Sequence, residues 1–128
     1  MKENKLTVKI NEPVQEVFIF TTDPKNTPLW VDDCIKEETN EWPVKMGSIY
    51  KNQNKASQWR EYMVTAFQEN KVFELTSKDK NYHVKYTYTP INENTSKLEY
   101  FEWVDKGSLD MPFTQNDLNK LKSVLESS

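Results

Sequence analysis

Apolar and polar residues alternate along most of the chain, with the period of two that is typical of half-buried β-strands. In the first such stretch, residues 5–10, Leu6, Val8 and Ile10 alternate with polar residues. Six later stretches are predicted strands, and the last five of them are rich in Val, Tyr, Phe, Trp and Thr, which favour a pleated surface. They cover residues 35–41, 48–54, 58–67, 72–77, 82–89 and 97–104. Because the turns between the later stretches are short, these strands are predicted to pair as antiparallel neighbours.

Helical spacing replaces this alternation at three places. Pro13 suits the start of a helix because it has no N–H to satisfy there, and apolar residues follow at helical spacing to residue 21. Asp23 and Pro24 repeat a cap-and-proline signal for a second helix over residues 24–30. Thr114 and Asp117 have capping-box spacing before an apolar stripe over residues 115–126. The chain is therefore predicted to be one α+β domain, residues 1–128, of order β-α-α-β-β-β-β-β-β-α, with a curved antiparallel sheet around the last helix.

The scarcity of three residue types excludes several kinds of site. The 128 residues include two glycines, one histidine and one cysteine. Gly47 and Gly107 are too far apart for a P-loop or a dinucleotide-binding fingerprint. Cys34 and His83 cannot supply the four ligands of a Cys/His zinc site. No metal and no cofactor are expected, and the lack of an intrachain disulfide predicts a reducing, cytoplasmic setting.

Charge and hydropathy argue against nucleic acid and membrane insertion. The chain has 17 basic and 20 acidic residues, and its lysines are scattered rather than gathered into a stripe. No apolar run approaches the roughly 20 residues of a membrane-spanning helix, and the start lacks a signal-peptide core.

Four segments are similar to sequences of START-like (SRPBCC) domains. The segment LTVKINEPVQEVFIFTTDPKNTPLW resembles the opening of such domains: a strand, a Pro-capped helix, an Asp-Pro turn and a Trp. The segments VKMGSIY, VTAFQENKVFELTS and YTYTPINENTSKLEYFEW resemble the family's G-x-x-Y, V-x-x-F-x-P-P-x-x-F-x-L and P-x-x-x-x-T-x-L stretches. The resemblance covers nearly the whole chain and is closest to the polyketide cyclase/dehydrase-like branch. Glu69 and Asn70 stand where the family usually has two prolines.

The resemblance implies the helix-grip (START-like, Bet v 1-like) fold, with a deep apolar cavity between the sheet and the last helix. Members of the family bind lipids, sterols, polyketides, plant hormones or aromatic metabolites, and a minority catalyse cyclisation or dehydration. The family has no shared catalytic motif, so the resemblance implies a pocket and no particular reaction.

Alternation predicts which side chains face this cavity. Tyr86 and Tyr88 lie on the apolar side of their strand and are predicted to face inward. The strand over residues 97–104 is ambiguous by alternation, and a family-like alignment turns Tyr100 and Glu102 inward. On the strand over residues 58–67, the inward residues are predicted to be Arg60, Tyr62, Val64 and Ala66.

Eight residues are thus predicted to bind a ligand: Trp30, Trp42, Arg60, Tyr62, Tyr86, Tyr88, Tyr100 and Glu102. Two of them, Trp30 and Trp42, are expected at the cavity mouth, with core packing as the alternative. Arg60 and Glu102 are hypothesised to orient a polar group of the ligand. The alternative for this pair is an ion pair on the solvent face, with Trp59 and Trp103 turned inward.

Neither His83 nor Cys34 is favoured as a catalytic residue. His83 lies on the polar side of its strand and is interpreted as a surface histidine. Cys34 follows two aspartates, whose charges would raise the pKa of its thiol.

Three functions follow from these residues. The leading hypothesis is binding or carrying of a small hydrophobic or aromatic molecule. The second is an enzyme of the polyketide cyclase/dehydratase type that uses Glu102, Arg60 or a tyrosine as acid or base. The third, which the sequence favours least, is a chaperone-activator-like module that binds a protein. A homodimer patch would be formed by Trp59, Phe101 and Trp103 if these residues face outward.

Overall fold

The computed structural model describes residues 1–127, which contain seven β-strands, two α-helices and one 3-10 helix. The strands are β1 (Glu3–Ile10), β2 (Lys36–Thr39), β3 (Ile49–Gln53), β4 (Trp59–Gln68), β5 (Val72–Ser77), β6 (Tyr82–Asn92) and β7 (Thr95–Val104). The helices are α1 (Val14–Thr22), the 3-10 helix (Pro24–Leu29) and α2 (Gln115–Glu126). The predicted order of elements and the α+β class are confirmed.

All seven strands form one antiparallel sheet, in the order β1-β7-β6-β5-β4-β3-β2. Strands that follow one another from β2 to β7 are neighbours in the sheet, as the short turns predict. The first strand instead lies beside the last, with Glu3 opposite Trp103 and Ile10 opposite Ser96.

Local sequence signals start each helix. Pro13 precedes α1 as its N-cap, and the Asp23 side chain accepts a hydrogen bond from the N–H of Lys25 at the start of the 3-10 helix. The predicted α-helix over residues 24–30 is a 3-10 helix, because Pro28 has no N–H to donate to the carbonyl of residue 24. The predicted capping box at the start of α2 is confirmed.

The core lies between the inner face of the sheet and the helices. From α2 it receives the apolar stripe of Leu118, Leu121 and Leu125, which are all buried. The sheet contributes both aliphatic and aromatic side chains, and the aromatic rings contact one another in edge-to-face, tilted and stacked arrangements. The largest buried aromatic residues are Trp30, Tyr50, Phe73 and Tyr100.

A β-bulge in β4 changes which side chains face this core. One extra residue, Thr65, stands between two neighbouring pairs of β4 with β5. Beyond the bulge Phe67 turns inward, and its ring contacts Phe18 and Phe73. The prediction that Ala66 faces inward is therefore wrong, because strict alternation ends where an extra residue enters a strand.

Replacing Leu121 by alanine is expected to lower the free energy of unfolding by about 2–5 kcal/mol, because its side chain is fully buried under α2. Urea unfolding followed by circular dichroism measures this loss. The control is Ser123→Ala, at an exposed position of the same helix, which should change the free energy by less than about 0.5 kcal/mol. Small and equal losses in both variants would contradict packing of α2 on the core.

Candidate functional site

An open groove of about 770 Å³ lies where β4 and β5 diverge. The two strands pair only from Tyr62, which lies opposite Ser77. Beyond this pair β5 turns toward β6, while β4 extends over residues 59–61 beside β3. One backbone hydrogen bond, from the N–H of Lys78 to the carbonyl of Glu61, closes the ladder. The groove is therefore a gap in the pairing of the sheet.

Aromatic and charged side chains line this groove. Trp59, Tyr62 and Tyr82 provide its aromatic surface, and the rings of the two tyrosines meet edge to face at 6.3 Å. The charged groups are equal in number, with three basic and three acidic side chains. These are Lys51, Arg60 and Lys78, and Glu38, Glu61 and Asp79. The groove thus offers flat apolar contact with polar groups around it.

Hydrogen bonds hold the side chain of Arg60, which lines the groove. Its Nε donates to Oδ1 of Asn52 at 3.2 Å, and its Nη2 donates to the carbonyl oxygen of Asp33 at 3.3 Å. The carboxylate of Asp33 lies 3.8 Å from Nη2. The Arg60 side chain is 42% exposed, so the guanidinium is anchored but still open to the groove.

A row of three polar side chains crosses β2, β3 and β4, with Glu37 opposite Asn52 and Asn52 opposite Arg60. Nδ2 of Asn52 donates to Oε2 of Glu37 at 3.2 Å, and Oγ1 of Thr27 donates to Oε1 at 2.5 Å. Burial raises the pKa of the Glu37 carboxyl, and the bonds from Thr27 and Asn52 oppose that rise. Glu37 and Asn52 are not predicted as site residues by the sequence, because only the register of the strands brings them beside Arg60.

Glu102 is buried directly behind Tyr82. Its carboxylate accepts hydrogen bonds from Tyr82 Oη at 2.8 Å, Asn4 Nδ2 at 2.9 Å and the Phe113 N–H at 2.8 Å. Only 2% of Glu102 is exposed. The predicted inward orientation of Glu102 is confirmed, and no ion pair joins it to Arg60 among the described residues.

The other predicted tyrosines lie inside the core. The rings of Tyr86 and Tyr100 meet edge to face at 5.4 Å, and Tyr100 stacks on Phe113 at 4.7 Å. Tyr88 packs against Phe18, and its hydroxyl lies 2.7 Å from that of Thr21. These rings occupy the space between the sheet and α2 in which the sequence predicts a ligand.

Tyr86 and Trp30 are buried residues, and the hydroxyl of the first and the indole N–H of the second make no hydrogen bond within residues 1–127. In the same residues, no side-chain nitrogen or oxygen that is sealed from solvent lacks a partner. Each of these atoms therefore borders a space that a water molecule can reach. Trp42, the second tryptophan predicted at the mouth, is 53% exposed and does not line the groove.

The cysteine and the histidine occupy different parts of the structure. Cys34 is buried, and this burial, with a smaller contribution from Glu37, raises the pKa of its thiol to about 11. Burial, rather than the preceding aspartates, is thus the main cause of the predicted rise. His83 lies on the outer face of the sheet, with Nδ1 3.0 Å from Oγ1 of Thr76 and Nε2 3.0 Å from the carboxylate of Asp105.

The outer face also carries two residues of the predicted homodimer patch. Trp103 stacks between His83 and Phe101, with centroid distances of 4.8 and 5.0 Å. The ammonium group of Lys5 lies 5.4 Å from the centre of the Phe101 ring. These residues face outward as the patch requires, and dimerisation itself stays a prediction.

Residues 1–127 contain no cluster of three or more His, Cys, Asp or Glu side chains that could hold a metal ion. Within the same residues, neither the length nor the apolar character of any helix is sufficient to cross a membrane.

Solved structures with the same fold cover almost the whole chain. A START superfamily protein from Mycobacterium smegmatis is 13% identical with a TM-score of 0.74, over 99% of both chains. Ara h 8.0201 is 13% identical with a TM-score of 0.69, over 98% of both chains. Norcoclaurine synthase from Thalictrum flavum, solved with dopamine and hydroxybenzaldehyde, is 10% identical with a TM-score of 0.65, over 98% of this chain and 84% of that one.

These likenesses show that the chain has the START-like, helix-grip fold that its sequence resembles. No protein-family model matches the chain, and no curated protein matches it in sequence. The fold is therefore established, and the ligand has to be argued from the chain's own residues.

Alkaline titration is expected to ionise the tyrosines only as the protein unfolds. Burial raises the pKa of all six above the ordinary value of about 10. Above about pH 10 the folded chain then holds more protons than the unfolded chain, so the free energy of unfolding falls as pH rises. Tyrosinate absorbance and near-ultraviolet circular dichroism should change together.

The control for this titration is the urea-unfolded chain, whose tyrosines should ionise near pH 10, as free tyrosine does. Ionisation of several tyrosines near that pH, with the near-ultraviolet spectrum of the folded protein intact, would contradict the burial of these rings.

Proposed function

We propose that this protein binds a small hydrophobic or aromatic molecule, with the groove beside Tyr62 and Tyr82 as the binding site. The observation that carries the proposal is the aromatic lining of this groove by Trp59, Tyr62 and Tyr82. Its volume of about 770 Å³ lies within the usual range of small-molecule sites, roughly 300–1,000 Å³. Flat aromatic walls favour a ligand that can stack on them.

The packed interior favours the groove over the space between the sheet and α2. Tyr86, Tyr100 and Phe113 contact one another there, so a ligand would have to displace at least one ring. The unpartnered hydroxyl of Tyr86 and N–H of Trp30 are the polar groups that a ligand would meet if the interior opened. The groove needs no such rearrangement.

The helix-grip fold supports the same proposal at a coarser level. Norcoclaurine synthase, a structural neighbour, is solved with two aromatic molecules, dopamine and hydroxybenzaldehyde. At 10% identity it shares the fold with this chain and no defined site, so the choice of an aromatic ligand rests on the groove residues.

Binding is better supported than acid–base catalysis. Glu102, the predicted acid or base, is sealed from the groove and already accepts three hydrogen bonds. A general acid or base has to come within hydrogen-bond reach of its substrate. Among the residues predicted for this role, Arg60 and Tyr62 line the groove, and Arg60 is a poor proton donor because its charge is permanent.

Replacing Trp59 by alanine is expected to weaken the binding of N-phenylnaphthylamine, an uncharged aromatic dye, by about fivefold to tenfold. The physical reason is the loss of one aromatic wall, worth about 1 kcal/mol or slightly more. The enhancement of dye fluorescence on binding measures the dissociation constant.

Met63→Ala is the matched control, because Met63 lies on the same strand, is 47% exposed against 48% for Trp59, and does not line the groove. Its dissociation constant should stay within about twofold of the wild-type value. Equal binding by all three proteins, or no binding at all, would contradict the groove as the site.

A further inference from the structure

Arg60 differs from the other two cations of the groove in how it is held. Lys51 and Lys78 are exposed, and their ammonium groups make no hydrogen bond among residues 1–127. The Arg60 guanidinium is bound on one side by Asn52 and Asp33. A fixed cation loses less conformational entropy when it binds a ligand than a mobile lysine does.

The anchored guanidinium of Arg60 has N–H donors that its two hydrogen bonds do not use. Arginine has five N–H donors in a planar fork, and the two hydrogen bonds of Arg60 use one on Nε and one on Nη2. Both hydrogens of Nη1 have no acceptor in the described part of the chain. Planar forks of this kind match the two oxygens of a carboxylate.

The row of Glu37, Asn52 and Arg60 across β2, β3 and β4 fixes the orientation of the guanidinium. Asn52 accepts from Arg60 through Oδ1 and donates to Glu37 through Nδ2, so its amide cannot turn without losing both bonds. Glu37 is itself held by the hydroxyl of Thr27. Asn52 and Glu37 therefore act as positioning residues for the guanidinium.

None of the acidic residues that line the groove forms an ion pair with Arg60 within residues 1–127. Glu38 and Glu61 lie opposite Lys51 on either side, in one cross-strand row. Asp79 accepts hydrogen bonds from the Ser77 hydroxyl and the Asn81 N–H. Asp33 also accepts a bond from the N–H of Lys55, at the carboxylate oxygen that faces away from Arg60.

We propose that the ligand of the groove is an aromatic carboxylate, with its ring against Trp59, Tyr62 and Tyr82 and its carboxylate on the free Nη1 side of Arg60. This inference rests on the proposed function and adds the chemical class of the ligand. It also proposes that Arg60, whose guanidinium is held in place, selects this class of ligand.

Naphthoate and naphthamide test the inference, because they share a ring system and differ in charge. Isothermal titration calorimetry at neutral pH should show that the wild-type protein binds naphthoate about tenfold more tightly, as expected for a charge-assisted hydrogen bond. Arg60→Gln should remove this preference. Lys78→Gln, which removes the same charge from the same groove, should keep the preference.

The outcomes separate the two proposals. Equal affinities of the wild-type protein for the two compounds would overturn the carboxylate inference and leave the aromatic site standing. A preference that survives in Arg60→Gln, or that Lys78→Gln removes equally, would also overturn it. Failure of the wild-type protein to bind naphthoate, naphthamide and N-phenylnaphthylamine would overturn the proposed function as well. If Arg60→Gln does not fold, the affinities of the wild-type protein for naphthoate and naphthamide still test the carboxylate inference.

Discussion

The buried carboxylate of Glu102 holds three separate parts of the fold together. It joins β7 to β1 through Asn4, to β6 through Tyr82 and to the segment before α2 through Phe113. A charge in the core is tolerated only where several donors replace the water that it loses. By holding Phe113, Glu102 also places that ring on Tyr100, and the interior beneath α2 is then filled.

Because the interior is filled, the aromatic side chains that line the groove lie at the edge of the core. The sheet keeps its inner rings in contact over β5 to β7, and an opening arises where β4 leaves β5. Tyr82 belongs to both regions, since it lines the groove and donates to Glu102. A ligand in the groove would therefore rest on a wall that the core itself holds in place.

The sequence predicted the elements and their order because the period of two and the helix caps are local signals. Alternation also predicted the inward orientation of Tyr86, whereas that of Tyr100 and Glu102 was predicted from a family-like alignment, because alternation alone left their strand ambiguous. Ala66 was predicted wrongly because a bulge leaves no clear local signal. The groove and the row that anchors Arg60 depend on where two strands stop pairing, and that register is set by the whole sheet.

Two adjacent aspartates show how closely the groove is tied to the rest of the fold. Asp32 binds Lys120 of α2, whose ammonium group lowers the pKa of that carboxyl, and Asp33 binds Arg60. Neighbouring residues of one short loop thus contact α2 and the groove arginine. The helix that covers the filled interior and the guanidinium of Arg60 are connected through this loop.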